Sequence, residues 1–198
     1  MTTGLSVSKH IRRLDGLDLP AAGSWVVDPG HADVSFTGRH LMLTRVRGRF
    51  TAIDGSLRIG EDPNDSEVQV TIDVGSLDSG DATRDEHLRS ADLFDVAAHP
   101  TALFRSTAVR LDGPELAVDG DLTIKGVTRQ VRLEGAYLGI TTDPWGNVRA
   151  VFEAHTRLTR DDWGLTWNLR LDTGGLLVSR EIDVDISFEA LPAAAAAA

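Results

Sequence analysis

The residues of this 198-residue chain best suited to chemistry are its histidines. His31, His40, His87 and His99 lie near acidic residues, and a zinc site needs about three such ligands converging. Their spacing fits no ligand motif. His31 follows the turn signal Asp28-Pro-Gly30, where an imidazole would bond a turn carbonyl, and His99 precedes Pro100. No metal ligand and no cofactor is therefore expected. His40 differs, because its parity with Val34 and Phe36 points it to the inner face of a strand. There it would meet a polar head group in a hollow interior, or a backbone carbonyl in a solid one.

The second cluster is Arg84-Asp-Glu-His-Leu-Arg89. On a helix, Arg84, His87 and Leu88 share a face, placing a cation and an imidazole beside an apolar anchor. Such a group suits a pocket mouth that receives a phosphate or carboxylate. Equally, Arg84 and Asp85 could bond loop backbone and simply fix the helix. Other chemistries lack their parts: there is no cysteine, no Gly-x-Ser-x-Gly, no phosphate loop and no dinucleotide fingerprint. Asp161 and Asp162 are adjacent and so point apart in extended chain. Trp163 and Trp167 suit a loop packed over a barrel or lining its entrance.

The elements that must position these residues have a period of two. Val34, Phe36, Gly38, His40 and Met42 alternate with polar neighbours. So do Val68, Val70, Ile72 and Val74; Leu116, Val118, Gly120, Leu122 and Ile124; Val127, Val131 and Leu133; and Ile182, Val184, Ile186 and Phe188. Strict alternation marks antiparallel strands with one buried face. Turn signals separate them at Asp28-Pro-Gly30, Asp54-Gly55, Glu61–Asp65, Asp112-Gly-Pro114, Lys125-Gly126 and Asp143-Pro-Trp-Gly146. The strands must pack on a second sheet or close into a barrel. One helical interruption, capped by Asp81, is expected between Asp81 and His99. Small residues with inward parity (Gly38, Gly48, Ala52, Ser106, Ala108, Gly120, Ala150, Ala154) would leave space inside. Phe36, Phe50, Phe104 and Phe152 on the same faces could fill it, so alternation leaves a hollow and a solid interior both open.

Residues 1–23 read as an N-terminal extension, 24–191 as one domain and 192–198 as a flexible, Ala-rich tail. In the extension, Val7, Ile11 and Leu14 have helical spacing before Pro20-Ala-Ala-Gly23; a short amphipathic helix and linker, or a poorly ordered tail, both fit. The formal net charge of −10 repels phosphate backbones and argues against nucleic acid and anionic membrane surfaces. Basic residues cluster only at Lys9–Arg13 and Arg45–Arg49. Apolar stretches are too short to embed the chain in a membrane as a helix. The charged opening segment has no apolar signal core, so the cytoplasm is the expected compartment.

Taken together, the motifs resemble the YceI-like family of polyisoprenoid-binding proteins. The resemblance lies in Trp25-Val-Val-Asp-Pro-Gly-His-Ala-Asp-Val-Ser-Phe36 with His40-Leu41, Val46-Arg-Gly-Arg-Phe50, Arg84 through Asp95, His99-Pro100 through Phe104, Gly120 through Thr128, Trp163-Gly164 and Ser179 to Ala190. It implies an all-β fold, an eight-stranded antiparallel lipocalin-like barrel with a short helix closing one end. It also implies a hydrophobic tunnel for an isoprenoid or fatty-acyl chain, and a homodimer as a candidate assembly. Lys125 stands where the family usually has histidine, and many relatives are exported.

The leading reading is a carrier, store or sensor for a long apolar or amphiphilic chain, of isoprenoid, isoprenoid-quinone or fatty-acyl type, and not an enzyme. Its expected wall is Val34, Phe36, Met42, Phe50, Phe104 and Phe152. Leu88, Phe94, Trp163 and Trp167 would lie near the openings, and His40, Arg84 and His87 at the polar end. A second reading is an isomerase, cyclase or hydrolase in the same barrel with His40 or His87 as general base, which predicts a carboxylate or second polar group inward beside His40. A third is a filled barrel that binds partners on its edges.

Overall fold

A computed structural model describes residues 9–172 and 175–193. The alternating segments form strands β3 (Gly23–His40), β4 (Thr44–Phe50), β5 (Ile53–Ile59), β6 (Glu67–Asp73), β7 (Leu77–Asp78), β8 (Thr101–Asp112), β9 (Glu115–Ile124), β10 (Val127–Thr142), β11 (Val148–Thr159) and β12 (Glu181–Pro192). A separate hairpin, β1 (Ile11–Leu14) and β2 (Leu17–Pro20), precedes them. All pairings are antiparallel, and β12 pairs back onto β3. The ring β3-β5-β6-β8-β9-β10-β11-β12 is a closed barrel of eight strands, as the resemblance implied. Closure removes the unpaired edges that an open sheet would present to other chains. β3 is long enough to change neighbours. Its first residues pair with β5 and its last with β4, which pairs in turn with β7 and extends the wall at one end.

Two expected turns lie inside strands instead. Asp28-Pro-Gly30 belongs to β3, where the Asp28 carboxylate accepts the Gly30 N–H at 3.0 Å. The register against β12 slips there, between Phe188 and Ala190, so the segment is a bulge, one of the few sheet positions that tolerate proline. Asp54 and Gly55 pair with Thr71 and Val70 within β5. The glycine is needed because a Cβ would sit 2.6 Å from Val27 Cγ2. The turn joining β4 to β5 is at Thr51-Ala52, whose N–H groups both donate to Ser76 Oγ. Ala52 is thereby exposed, not inward. Ala108 is exposed too, because a bulge between Ser106 and Ala108 reverses parity and turns Val109 and Leu111 inward.

The N-terminal extension contains a hairpin, not a helix. Asp15 and Gly16 both take positive φ (49° and 84°), the conformation of a two-residue hairpin turn. Ile11 pairs with Pro20 and Leu14 with Leu17. Leu19 is buried against a cluster containing Trp25, Val27, Leu57, Tyr137 and Phe152, so the hairpin covers one end of the barrel. Tyr137 Oη donates to the Asp18 carbonyl at 2.6 Å, and Arg12 donates to the carbonyls of Gly60 and Glu61. Val7 lies outside the described residues. At the other terminus Pro192 is not tail but the end of β12, paired with Trp25; residues 194–198 lie outside the described residues.

Helix α1 (Ala82–Arg89) begins where expected, with the Asp81 carboxylate accepting the Arg84 N–H at 3.0 Å. Arg89 Nε donates to the Gly75 carbonyl, tying the helix to the segment before β7. The following turn buries Leu93 with Trp163 and Leu165 in a second cluster, at the opposite end from the hairpin.

Candidate functional site

Between the two clusters lies a cavity of about 710 Å³, lined from Leu19 and Pro20 at the hairpin to Leu88 and Trp167 beside α1. Its size falls in the range of small-molecule sites. The interior is therefore hollow, and the aromatic side chains explain how. Phe36 is directly paired with Gly48, and a Cβ on Gly48 would come within 2.4 Å of the Phe36 ring. A Cβ on Gly120 would likewise meet the Phe104 ring at 2.5 Å. Each ring occupies the space that a side chain at a glycine on the neighbouring strand would take. The small inward residues and the phenylalanines do interdigitate, but along the wall.

Val34, Phe36, Phe50, Phe104 and Phe152 all line the cavity. Phe36 and Phe50 are 5.6 Å apart between ring centroids, and Phe50 meets Phe94 edge-on at 6.0 Å. That chain of rings carries the wall from β3 and β4 to the segment after α1. Phe152 stacks on Phe188 at 5.2 Å near the other end. Leu88, Trp163 and Trp167 also line the space. Trp163 is only 2% exposed and donates its indole N–H to the Leu122 carbonyl at 3.1 Å, so it closes that end from within. Met42 does not belong here. β3 stops at His40, and Met42 sits in the following turn with φ 60° and 48% exposure, so strand parity no longer governs it.

The polar candidates gather beside α1. His40, Arg84 and His87 all border the cavity. Arg84 is committed: Nε donates to Ser79 Oγ and Nη2 to the Ser79 carbonyl, both at 2.7 Å. The buried Asp85 carboxylate accepts the Ser79 N–H at 3.0 Å and also its hydroxyl, so both residues anchor the helix to the loop before it. His87 meets Trp167 edge-to-face at 4.2 Å, with Asp92 at 3.7 Å. The His40 ring has no hydrogen-bonding carboxylate among the described residues. Arg160, also on the cavity wall, is buried and fastens its loop by donating to the carbonyls of Ser179 and Leu165. Burial pulls its pKa below the usual arginine range, and Arg180 nearby adds to this. Lys125 lies in the β9–β10 turn and donates to the Ala91 carbonyl at 3.0 Å, away from the cavity lining.

His31, Asp28 and Glu189 bring possible metal-ligand atoms within 4.8 Å of one another on the outside of the barrel. His31 Nδ1 lies 2.9 Å from the Asp28 carboxylate, not at a turn carbonyl. The centre of this cluster is Arg149, which bonds Asp28 at 2.6 Å, Glu189 at 2.7 Å and Asp143 at 2.9 Å. Burial alone would raise the Asp28 pKa, but hydrogen bonds from Arg149, His31 and the Gly30 N–H hold it below the ordinary value. Asp143 is lowered further, because bonds from Asn147 and Arg149 outweigh burial. Arg149 is raised in return, first by Asp28 and then by Asp143. A guanidinium already supplies the positive charge here, and the cluster fastens the β3 bulge to β11, β12 and the β10–β11 turn.

Sequence reasoning missed the cavity residues at the hairpin end, Leu19 and Pro20, and those of the returning loop, Leu177 and Val178. The first had a signal: Asp15-Gly16 between apolar residues is a hairpin turn pair. The second had none, since that segment approaches β3 through isolated backbone contacts, including a bridge between His40 and Val178.

A family model described as a YceI-like domain matches residues 25–190. Protein YceI of Escherichia coli O157:H7 is 42% identical over 160 residues, spanning 80% of this chain and 81% of that protein. Protein YceI of Salmonella newport is 40% identical over the same length, with the same coverage. Among solved structures, BcnA of Burkholderia cenocepacia superposes with a TM-score of 0.70 at 24% identity, covering 82% of this chain and 98% of that one. A polyisoprenoid binding domain from Saccharophagus degradans, implicated in plant cell wall breakdown, gives 0.65 at 17% identity, covering 85% and 98%. These structures share the barrel fold.

Proposed function

The chain belongs to the YceI-like family, and from that premise we propose that its barrel binds one long apolar or amphiphilic chain, of isoprenoid, isoprenoid-quinone or fatty-acyl type, as a carrier, store or sensor. The observation that carries this reading is the cavity of about 710 Å³ with an aliphatic and aromatic wall and polar groups beside α1. Burying about ten methylenes gains roughly 8 kcal/mol gross at ~0.8 each, near micromolar affinity before ordering costs. The polyisoprenoid binding domain from Saccharophagus degradans, with the same fold, supports the choice of ligand class.

An enzymatic reading receives less support. It predicts a carboxylate or second polar group beside an inward histidine, and neither the His40 nor the His87 ring hydrogen-bonds another side chain among the described residues; Asp92 is 3.7 Å from His87. Native mass spectrometry with lipid extraction, on protein purified from its own host, tests the proposal. A co-purifying isoprenoid or acyl chain is the expected result. Protein that is repeatedly empty and also refuses a fluorescent lipid probe would overturn it in favour of a partner-binding barrel. Turnover of the bound lipid, lost in a folded His40→Ala variant, would favour the enzyme.

A further inference from the structure

The turn that displaced Met42 from the cavity wall presents three large apolar side chains to solvent: Leu41, Met42 and Leu43, the last 79% exposed. Leu41 and Met42 both take positive φ (52° and 60°), a conformation ordinarily left to glycine or asparagine. Solvation alone gives no reason to put leucine and methionine there. The turn is not isolated. Leu41 N–H donates to the Leu177 carbonyl, and Leu177 N–H to the carbonyl of Leu169, itself 54% exposed. The Asn168 side chain locks this arrangement by bonding both the N–H and the carbonyl of Val178. Three backbone segments thus hold one apolar tip against the end of the barrel where His40, Trp167 and Leu177 border the cavity.

Directly behind the tip, Arg39 and Arg45 are cross-strand partners, and Arg47 faces Thr37 two pairs further on. All three are exposed, and their side chains have no ion pair or hydrogen bond among the described residues. The nearby Asp183 is taken by Arg157 at 2.6 Å. Like charges directly opposite each other destabilise a sheet unless an anion lies over them. This occurs in a chain whose net charge is −10.

We infer that the Leu41–Leu43 turn, with Arg39, Arg45 and Arg47 behind it, is a docking surface for an anionic lipid bilayer. Apolar side chains enter the acyl boundary while arginines a few ångströms above meet the phosphates, the arrangement of interfacial anchors generally. The acidic remainder of the protein is repelled, so only this end approaches, and docking sets the cavity mouth on the membrane. A second copy of the chain fits less well, because a two-fold contact through this tip would bring the unpaired arginines of both copies together.

Flotation of the full chain with vesicles tests the inference. Binding is expected to mixed phosphatidylcholine–phosphatidylglycerol vesicles, to weaken with salt, and to be lost on pure phosphatidylcholine. Leu43→Asp should weaken it at least about tenfold, and Arg45→Gln about fivefold. Both variants should take up a soluble lipid probe as before, which separates a docking failure from a cavity failure. No binding to mixed vesicles, or binding indifferent to both substitutions, would overturn the inference. So would a dimer in sedimentation that Leu43→Asp dissociates while vesicles remain unbound, which would assign the tip to a second copy.

Discussion

Phe36 lies over Gly48: the two are paired across β3 and β4, and the ring occupies the space a Gly48 side chain would need, 2.4 Å from where its Cβ would be. The lumen stays open because a glycine on one strand receives the aromatic ring of the next. Gly48→Ala should therefore push the ring inward, costing about 1–3 kcal/mol of stability and reducing lipid capacity together. Denaturant titration and probe titration on the same variant check this. Lost stability with unchanged capacity would mean that the strand yields and the ring stays.

Filling the lumen should remove binding while sparing the fold. Ala154 borders the cavity from β11 and is half-buried. Ala154→Trp is expected to lower probe affinity by more than about tenfold, since the added ring occupies volume the ligand needs, with a stability cost of about 1–3 kcal/mol from overpacking. Isothermal titration with a fluorescent acyl or isoprenyl probe, alongside circular dichroism, separates the two effects.

The Arg149 cluster should make stability fall in acid. Asp28 and Asp143 have folded pKa values below the ordinary 3.8, so their contribution is fully present above that pH and is lost as pH falls through the folded values. Arg149→Met should lower the melting temperature by several degrees at neutral pH, where three carboxylates then face one another. The deficit should shrink as pH drops below about 4 and those groups protonate. A deficit that stays constant with pH would show that Arg149 acts through packing alone.

Tyr137 ties the hairpin to the barrel. Burial, then the nearby Asp18 carboxylate, pushes its phenol well above the usual range, so it remains a donor to the Asp18 carbonyl. Tyr137→Phe should cost about 1 kcal/mol and leave that carbonyl unpaired. Amide exchange should quicken in β1 and β2 more than in β9 or β10. Removing residues 1–21 altogether should expose Trp25, read as a red shift in its fluorescence.

The antiparallel strands were legible because they alternate, their closure into a barrel from the ordered motifs, and the helix because Asp81 sits one residue before it. What escaped the sequence was decided by contacts between distant residues. Asp28-Pro-Gly30 reads as a turn, yet Arg149, over a hundred residues away, holds it in a strand as a bulge. Ala108 has inward parity until the bulge after Ser106 reverses it. Met42 continued the pattern of β3 on paper only, since nothing local marks His40 as the last strand residue. At the candidate site, the aromatic wall followed from parity. Arg84 did not turn out to be a free cation, because its partner is the backbone and hydroxyl of Ser79.

The seam between β3 and β12 has a consequence for biosynthesis. Thr37 pairs with Asp183 and Trp25 with Pro192, so the first long strand made must wait for the last. Until the twelve residues of β12 leave the ribosome, the nascent chain is an open, curved sheet with its apolar concave face and two bare edges exposed. Such a late, long-range closure is slow and leaves the growing chain prone to association. A chain that stops short of β12 should thus need chaperone protection or be degraded, and a lipid meeting the open sheet could be enclosed as the protein is completed.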